Sequence, residues 1–203
     1  MKPEYLIFDI GKVLVDFDFG VLLGRIASDS GRPVVLPTGR DLETHNAVET
    51  GIISDQEFVD YLNEFHGISW TVDTLIGVWQ DMFTVNEIGY GLFREAIDRG
   101  LPVYTLSNIS EHHVEAIERN WPGFFDGATK LFLSYEIGAR KPDAGIYRHL
   151  LEDLGADGGQ CLFIDDLPEN VAAARAAGIQ ARQFIPENHA AIREEINRFA
   201  GLV

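Results

Sequence analysis

Five short apolar runs, separated by longer amphipathic stretches, constrain this chain more than any other feature of its sequence. Tyr5 to Phe8, Pro102 to Leu106, Lys130 to Leu133, Cys161 to Ile164 and Gln180 to Phe184 read as strands. Glu87 to Arg99, Glu111 to Arg119, Ala144 to Leu154, Glu169 to Ala177 and Asn188 to Phe199 read as helices between them. Strands that alternate with helices predict an α/β fold whose parallel sheet is covered by helices. The punctuation agrees: Gly100 and Gly178 fall where left-handed caps end helices, and Ser110 sits as an N-cap before Glu111.

One interval breaks the rhythm. Roughly 70 residues separate the first strand from the helix at Glu87, far too many for an ordinary βα connection. Phe19 to Ser28, Asp41 to Glu49, Ser54 to Phe65 and Thr71 to Met82 read as helices within it, and no strand is expected there. Ser54-Asp55-Gln56-Glu57 has the form of a capping box. The expected division is a core of residues 1–16 and 87–203 with an inserted helical cap at 17–86.

Ligands of open parallel sheets bind beyond the carboxyl ends of the strands, so the residues just past each strand matter most. Asp9 comes after the first, Ser107-Asn108 after the second, Arg140-Lys141-Pro142-Asp143 after the loop of the third, and Asp165-Asp166 after the fourth. A carboxylate such as Asp9 can attack phosphorus in line. An ammonium such as Lys141, together with Mg²⁺, can neutralise the phosphoryl oxygens, and Ser107 with nearby backbone N–H groups can clamp them. Magnesium takes oxygen ligands and keeps several waters, so one or two carboxylates suffice.

The order Asp-x-Gly-x-Val, Leu-Ser-Asn, Arg-Lys-Pro-Asp and Asp-Asp-x-x-x-Asn resembles the four motifs of the haloacid-dehalogenase superfamily. The likeness spans Asp9 to Asn170 and continues in an Ala-Ala-Gly tail at Ala176 to Gly178. Gly51-Ile52-Ile53-Ser54 resembles the helical cap of the same branch, and the first motif resembles that of bacterial sugar-phosphate phosphatases acting on α-glucose-1-phosphate. The resemblance implies a Rossmann-like sheet of five or more strands in the order 5-4-1-2-3. It implies Asp9 as nucleophile and metal ligand, the Gly11 carbonyl as second ligand, and Ser107 and Asn108 as phosphate holders. Lys141 would bridge nucleophile and phosphate. Aligning the tail makes Asp166 the metal-binding acid, with Asp165 and Asn170 in support.

The family's second aspartate, two residues after the nucleophile, is Gly11 here. The general acid–base role is therefore open, with Asp16, Asp18, His45 and Glu49 as candidates. His112-His113 is expected on the surface, because adjacent helix residues diverge and chelate poorly. Trp70, Trp79 and Phe83 are expected to pack the cap, with room for one of them to line a substrate pocket.

Sixteen basic against 32 acidic residues give a formal charge of −16, which disfavours nucleic acid and anionic membranes as partners. The expected partner is a small phosphorylated metabolite and the expected cofactor Mg²⁺; oligomeric state is not readable. The first residues show no signal-peptide pattern and no run approaches a membrane span, so the cytoplasm is the expected compartment. Cys161 stands alone in an apolar run and reads as a buried, inert thiol. Two other readings stand beside the phosphatase: a metal-free 2-haloacid dehalogenase, which gains nothing from the Asp165-Asp166 pair, and a non-catalytic phosphate-binding or signalling module.

Overall fold

The computed structural model describes residues 5–34 and 39–201. The chain runs β1 (Tyr5–Phe8), β2 (Val15–Phe17), α1 (Phe19–Ser30), α2 (Gly39–Glu49), α3 (Asp55–His66), α4 (Val72–Met82) and β3 (Phe83–Val85). It continues through α5 (Glu87–Asp98), β4 (Val103–Ser107), α6 (Glu111–Asn120), β5 (Lys130–Leu133), α7 (Ser134–Ile137) and α8 (Ala144–Leu154). β6 (Cys161–Asp165), α9 (Pro168–Ala176), β7 (Gln180–Gln183) and α10 (His189–Phe199) complete it.

Five strands form one parallel sheet in the order β5-β4-β1-β6-β7. These labels differ from the expected series 5-4-1-2-3 because β2 and β3 take two numbers that no apolar run in the sequence announces. Counted among themselves, the five sheet strands stand in the expected series, read from the other edge. Successive side chains of β1 alternate between two apolar clusters. Leu6 and Phe8 join one with Leu92, Phe93 and Ile117; Ile7 joins the other with Phe163, Tyr147 and Val171. Burial on both faces explains why the inner strands β1, β4 and β6 read as nearly continuous apolar runs. Cys161 is buried in the second cluster, and burial pushes its thiol up to about 11.

The interval after β1 does contain strands, against expectation. β2 and β3 pair antiparallel, Val15 with Val85 and Phe17 with Phe83, in a ribbon that brackets α1 to α4. Three-residue strands carry too little alternation to be read, and β3 continues directly from the apolar face of α4. Asn86 ties the ribbon down: its backbone N–H donates to Leu14 O, its Nδ2 to Lys12 O, and its Oδ1 caps α5 through Gly89 N. At Gly89 a Cβ would lie 1.8 Å from Val13 O, so only glycine lets α5 approach the loop after Asp9 this closely.

The four helices between the ribbon strands lie over the carboxyl edge of the sheet. α4 packs on α1 and on α6, and α2 packs on α3 and α7. Their apolar residues, Ile26, Val59, Leu75 and Trp79 among them, belong to the same cluster as Phe8 and Phe93. Ser54 and Glu57 form the expected capping box on α3. Gly51, at φ +67°, brings the turn after α2 against Tyr135 O, where a Cβ would sit at 2.3 Å.

The histidine pair departs from expectation. His112 is fully buried and His113 is 4% exposed, because α4 packs along α6 and its Trp79 ring lies against both imidazoles. His112 Nδ1 lies 2.6 Å from Asp55 Oδ1, and its ring stacks on Phe58. Among the described residues no helix is long and apolar enough to cross a membrane.

Candidate active site

The parallel sheet delivers Asp9, Ser107, Asp165 and Asp166 to one edge, and the loop after α7 returns Lys141 to the same place. Asp9 Oδ1 accepts from Ile10 N at 2.7 Å and from Lys141 Nζ at 2.8 Å. The carboxylate is thus fixed through one oxygen, and Oδ2 remains to act. Burial pushes the Asp9 carboxyl up to about 7, Lys141 opposes the rise, and Asp165 adds to it.

Lys141 is buried, and its Nζ also lies 2.6 Å from Asp165 Oδ2. Burial works against its charge, but Asp165 and Asp9 outweigh that and hold it above the ordinary lysine range. Asp165 in turn is saturated. Oδ1 accepts from Leu167 N at 2.9 Å and Asn170 Nδ2 at 3.0 Å, and Oδ2 from Lys141 and Asn170. Asn170 is buried in the first turn of α9, where its carbonyl takes the Tyr147 hydroxyl. These bonds make Asp165 and Asn170 the fixed backing of Lys141.

Asp166 differs. Among the described residues its side chain bonds to no residue but its own backbone, and burial, with Asp165 beside it, pushes its carboxyl up to about 6. One oxygen from each of Asp9, Asp165 and Asp166 can be chosen so that all three lie within 4.8 Å of one another. Three carboxylates against one ammonium leave a local negative excess that a small hard cation would neutralise, and an all-oxygen donor set suits magnesium. The donors present therefore fit the cation expected from sequence. Gly11, in the turn after Asp9, lacks a side chain, and a Cβ there would meet Phe17 Cε1 at 3.2 Å.

Ser107 is buried at the end of β4, and its hydroxyl has no hydrogen-bond partner among the described residues. Asn108 is committed elsewhere than its expected use suggested. Its Nδ2 donates to Lys141 O at 2.9 Å and its Oδ1 accepts from Lys141 N at 2.7 Å, a two-point clasp on the lysine loop. All eight residues singled out from sequence, Asp9, Gly11, Ser107, Asn108, Lys141, Asp165, Asp166 and Asn170, gather at this edge.

Beside them lies a cavity of about 70 Å³. Ile10, Gly11, Ser107 and Asn108 bound it on the sheet side; Phe17, Phe19, Trp79, His45 and Glu49 close it from the ribbon and the inserted helices. Of the open acid–base candidates, His45 and Glu49 line this space. Asp18 instead caps α1 through Gly20 N, and Asp16 lies 3.7 Å from Lys12 Nζ. Sequence reasoning missed His113, which also lines the cavity, and Ser134, whose hydroxyl links Ile109 to the Glu49 carbonyl. No local pattern marks either residue, since helix packing alone brings them there.

The chain belongs to the haloacid dehalogenase-like hydrolase family, whose model matches residues 5–178. Over 202 residues it is 26% identical to a D-ribitol-5-phosphate phosphatase of Bacteroides thetaiotaomicron, covering 94% of this chain and 95% of that one. It is 36% identical over 91 residues to a sesquiterpene phosphatase of Aspergillus oryzae, 43% of this chain but only 44% of that relative. Among solved structures, a family enzyme of B. thetaiotaomicron in complex with magnesium and inorganic phosphate superposes with a TM-score of 0.78 at 24% identity, covering 90% and 94%. A family hydrolase of Porphyromonas gingivalis gives 0.80 at 19% identity over 97% and 98%.

Proposed function

We propose that this chain is a Mg²⁺-dependent phosphatase of small phosphate monoesters, working through an aspartyl-phosphate on Asp9. The observation that carries the reading is the tether on Asp9: Ile10 N and Lys141 Nζ hold one carboxylate oxygen and leave the other for in-line attack. Lys141, backed by Asp165 and Asn170, neutralises a phosphoryl oxygen. The Ser107 hydroxyl and the backbone N–H groups after it hold the others. Asp9, the Gly11 carbonyl and Asp166 would hold magnesium, which when bound supplies further charge neutralisation at the phosphoryl group. The helical insertion, residues 17–86, serves as a cap that excludes water from the site. Metal-free dehalogenation would leave Asp166 without a use.

A sugar or polyol phosphate is the preferred substrate class, in line with the ribitol-phosphate relative that matches along nearly its whole length. The cavity holds about five waters' worth of space, enough for a leaving group of a few heavy atoms. Its aromatic lining also favours a second reading, a short apolar alcohol. Phosphate release from a panel of polyol, sugar and short alkyl phosphates, with Mg²⁺ or with EDTA, tests both. Magnesium-dependent release that Asp9→Asn abolishes is the expected result, and the best ester names the class. No release from any ester by the folded protein would overturn the phosphatase reading in favour of a phosphate-binding module.

A further inference from the structure

A phosphatase that forms an aspartyl-phosphate needs a proton for the departing alcohol and, later, a base for the attacking water. Position 11, a glycine, cannot supply either, and the Phe17 ring would crowd a Cβ there at 3.2 Å. The replacement must come from the leaving-group cavity, whose titratable lining residues are His45, Glu49 and His113.

Hydrogen bonding sorts these three. His113 Nδ1 accepts from Ser110 N at 3.2 Å, which places its proton on Nε2. Burial, with His112 and His45 nearby, holds its pKa well below 6.5, so it stays neutral, a donor rather than an acid. Glu49 has both carboxylate oxygens occupied, Oε1 by His45 Nε2 at 3.2 Å and Oε2 by Arg140 Nη2 at 3.2 Å. Burial pushes the Glu49 carboxyl upward, but His45, Arg140 and Lys141 outweigh it and keep it ionised. His45 is the remaining group. Its Nε2 faces Glu49, and its Nδ1 has no hydrogen-bond partner among the described residues.

We propose that His45, oriented by Glu49, is the acid–base residue of this site, and that the pair replaces the carboxylate missing at position 11. The inference rests on the phosphatase reading. In the first half-reaction Asp9 Oδ2 bonds to phosphorus, the bond from phosphorus to the ester oxygen breaks, and the proton on His45 Nδ1 moves to that oxygen. The alcohol leaves neutral. In the second, Nδ1 takes a proton from water as the water oxygen bonds to phosphorus. The bond from phosphorus to Asp9 then breaks, releasing phosphate and restoring both residues. Glu49 is a positioning residue that fixes the ring through Nε2. The charged and titratable groups around the ring are Glu49 on its own helix, His112 and His113 on α6, and Arg140 beyond Glu49.

Ethyl phosphate and 2,2,2-trifluoroethyl phosphate are nearly equal in size but differ greatly in the acidity of their alcohols, so they isolate proton transfer. The burst of alcohol release with Mg²⁺ reads phosphorylation of Asp9. His45→Gln is expected to slow the burst with ethyl phosphate about 10²-fold, within the usual range for general acid catalysis. With the trifluoroethyl ester the loss stays under about tenfold, because a good leaving group needs little protonation. Glu49→Gln, which weakens the hold on the ring, slows the ethyl phosphate burst more than the trifluoroethyl one. Should His45→Gln fail to fold by thermal melting, His45→Asn repeats the test. Equal losses on the two esters, or no loss on either, would overturn the proposal. Absence of any Mg²⁺-dependent release of alcohol or phosphate from either ester by the unmodified protein would remove the phosphatase reading itself, and this inference with it.

Discussion

The two sides of the candidate site are built on opposite principles. On the phosphate side the charged frame around Lys141 is fully bonded: Asp165 takes four hydrogen bonds, Asn108 clasps the Lys141 backbone, and Lys141 bridges two carboxylates. On the leaving-group side the lining is aromatic, and the His113 Nε2 and Trp79 Nε1 atoms are buried without partners. That frame is set before any ligand arrives, as electrostatic preorganisation requires. The second side is incomplete in the free protein, and two N–H donors wait for acceptors that a hydroxylated ligand would bring.

Breaking the phosphate side gives the largest expected effect. Lys141→Met leaves three carboxylates in a buried cluster with no ammonium, and loss of one partner of a buried ion pair costs about 3–5 kcal/mol. Chemical denaturation checks this, and the rate of phosphate release falls by about 10²- to 10³-fold, as when one transition-state donor is removed. Asn170→Ala comes next. It removes two hydrogen bonds to an ionised carboxylate and lowers stability by about 1.5–3 kcal/mol in the same measurement.

The leaving-group side responds instead to pH. The buried His112 and His113 have pKa values held below 6.5 in the folded protein, chiefly by burial. Below pH 6.5 the unfolded chain takes up protons at these positions and the folded protein does not. Their contribution to stability is therefore full above 6.5 and lost as pH falls toward the depressed values. Denaturation midpoints measured from pH 7 down to 5 should fall, and His113→Gln should flatten the slope. The smallest effect is expected from Trp79→Phe. Its indole N–H has no partner to lose, so only packing volume is given up, about 1 kcal/mol. Esters whose alcohols carry hydroxyl groups should then show a raised KM, while simple alkyl esters change little.

The phosphate side was also the more legible of the two in sequence. Parallel strands put their carboxyl ends on one edge, so Asp9, Ser107 and Asp165-Asp166 could be gathered from their places just past the apolar runs. The other side depends on helix packing, which leaves no local mark. His112 and His113 look like a solvated pair until α4 is laid across α6, and Ser134 carries no motif at all. The ribbon was hidden for a different reason, because strands of three residues fall below any recognisable period. Asn108 is an intermediate case: its place at the site could be read from sequence, but its grip on the Lys141 backbone is a tertiary bond between residues 33 apart.

The ribbon has a bearing on how such a molecule can change over generations. Val15 and Val85 stand opposite each other across the ribbon, so the chain leaves and re-enters through what is nearly a single point. Lengthening or shortening the excursion between them alters loop-closure entropy by only about 0.6 kcal/mol per doubling. Asp9 lies upstream of the exit, and Asn86 pins the re-entry to the same loop, so neither would shift in register. On the proposed reading, the part that would choose the alcohol is thus an exchangeable fitting on a fixed frame. A lineage could trade one inserted segment for another without disturbing Asp9 or its tether.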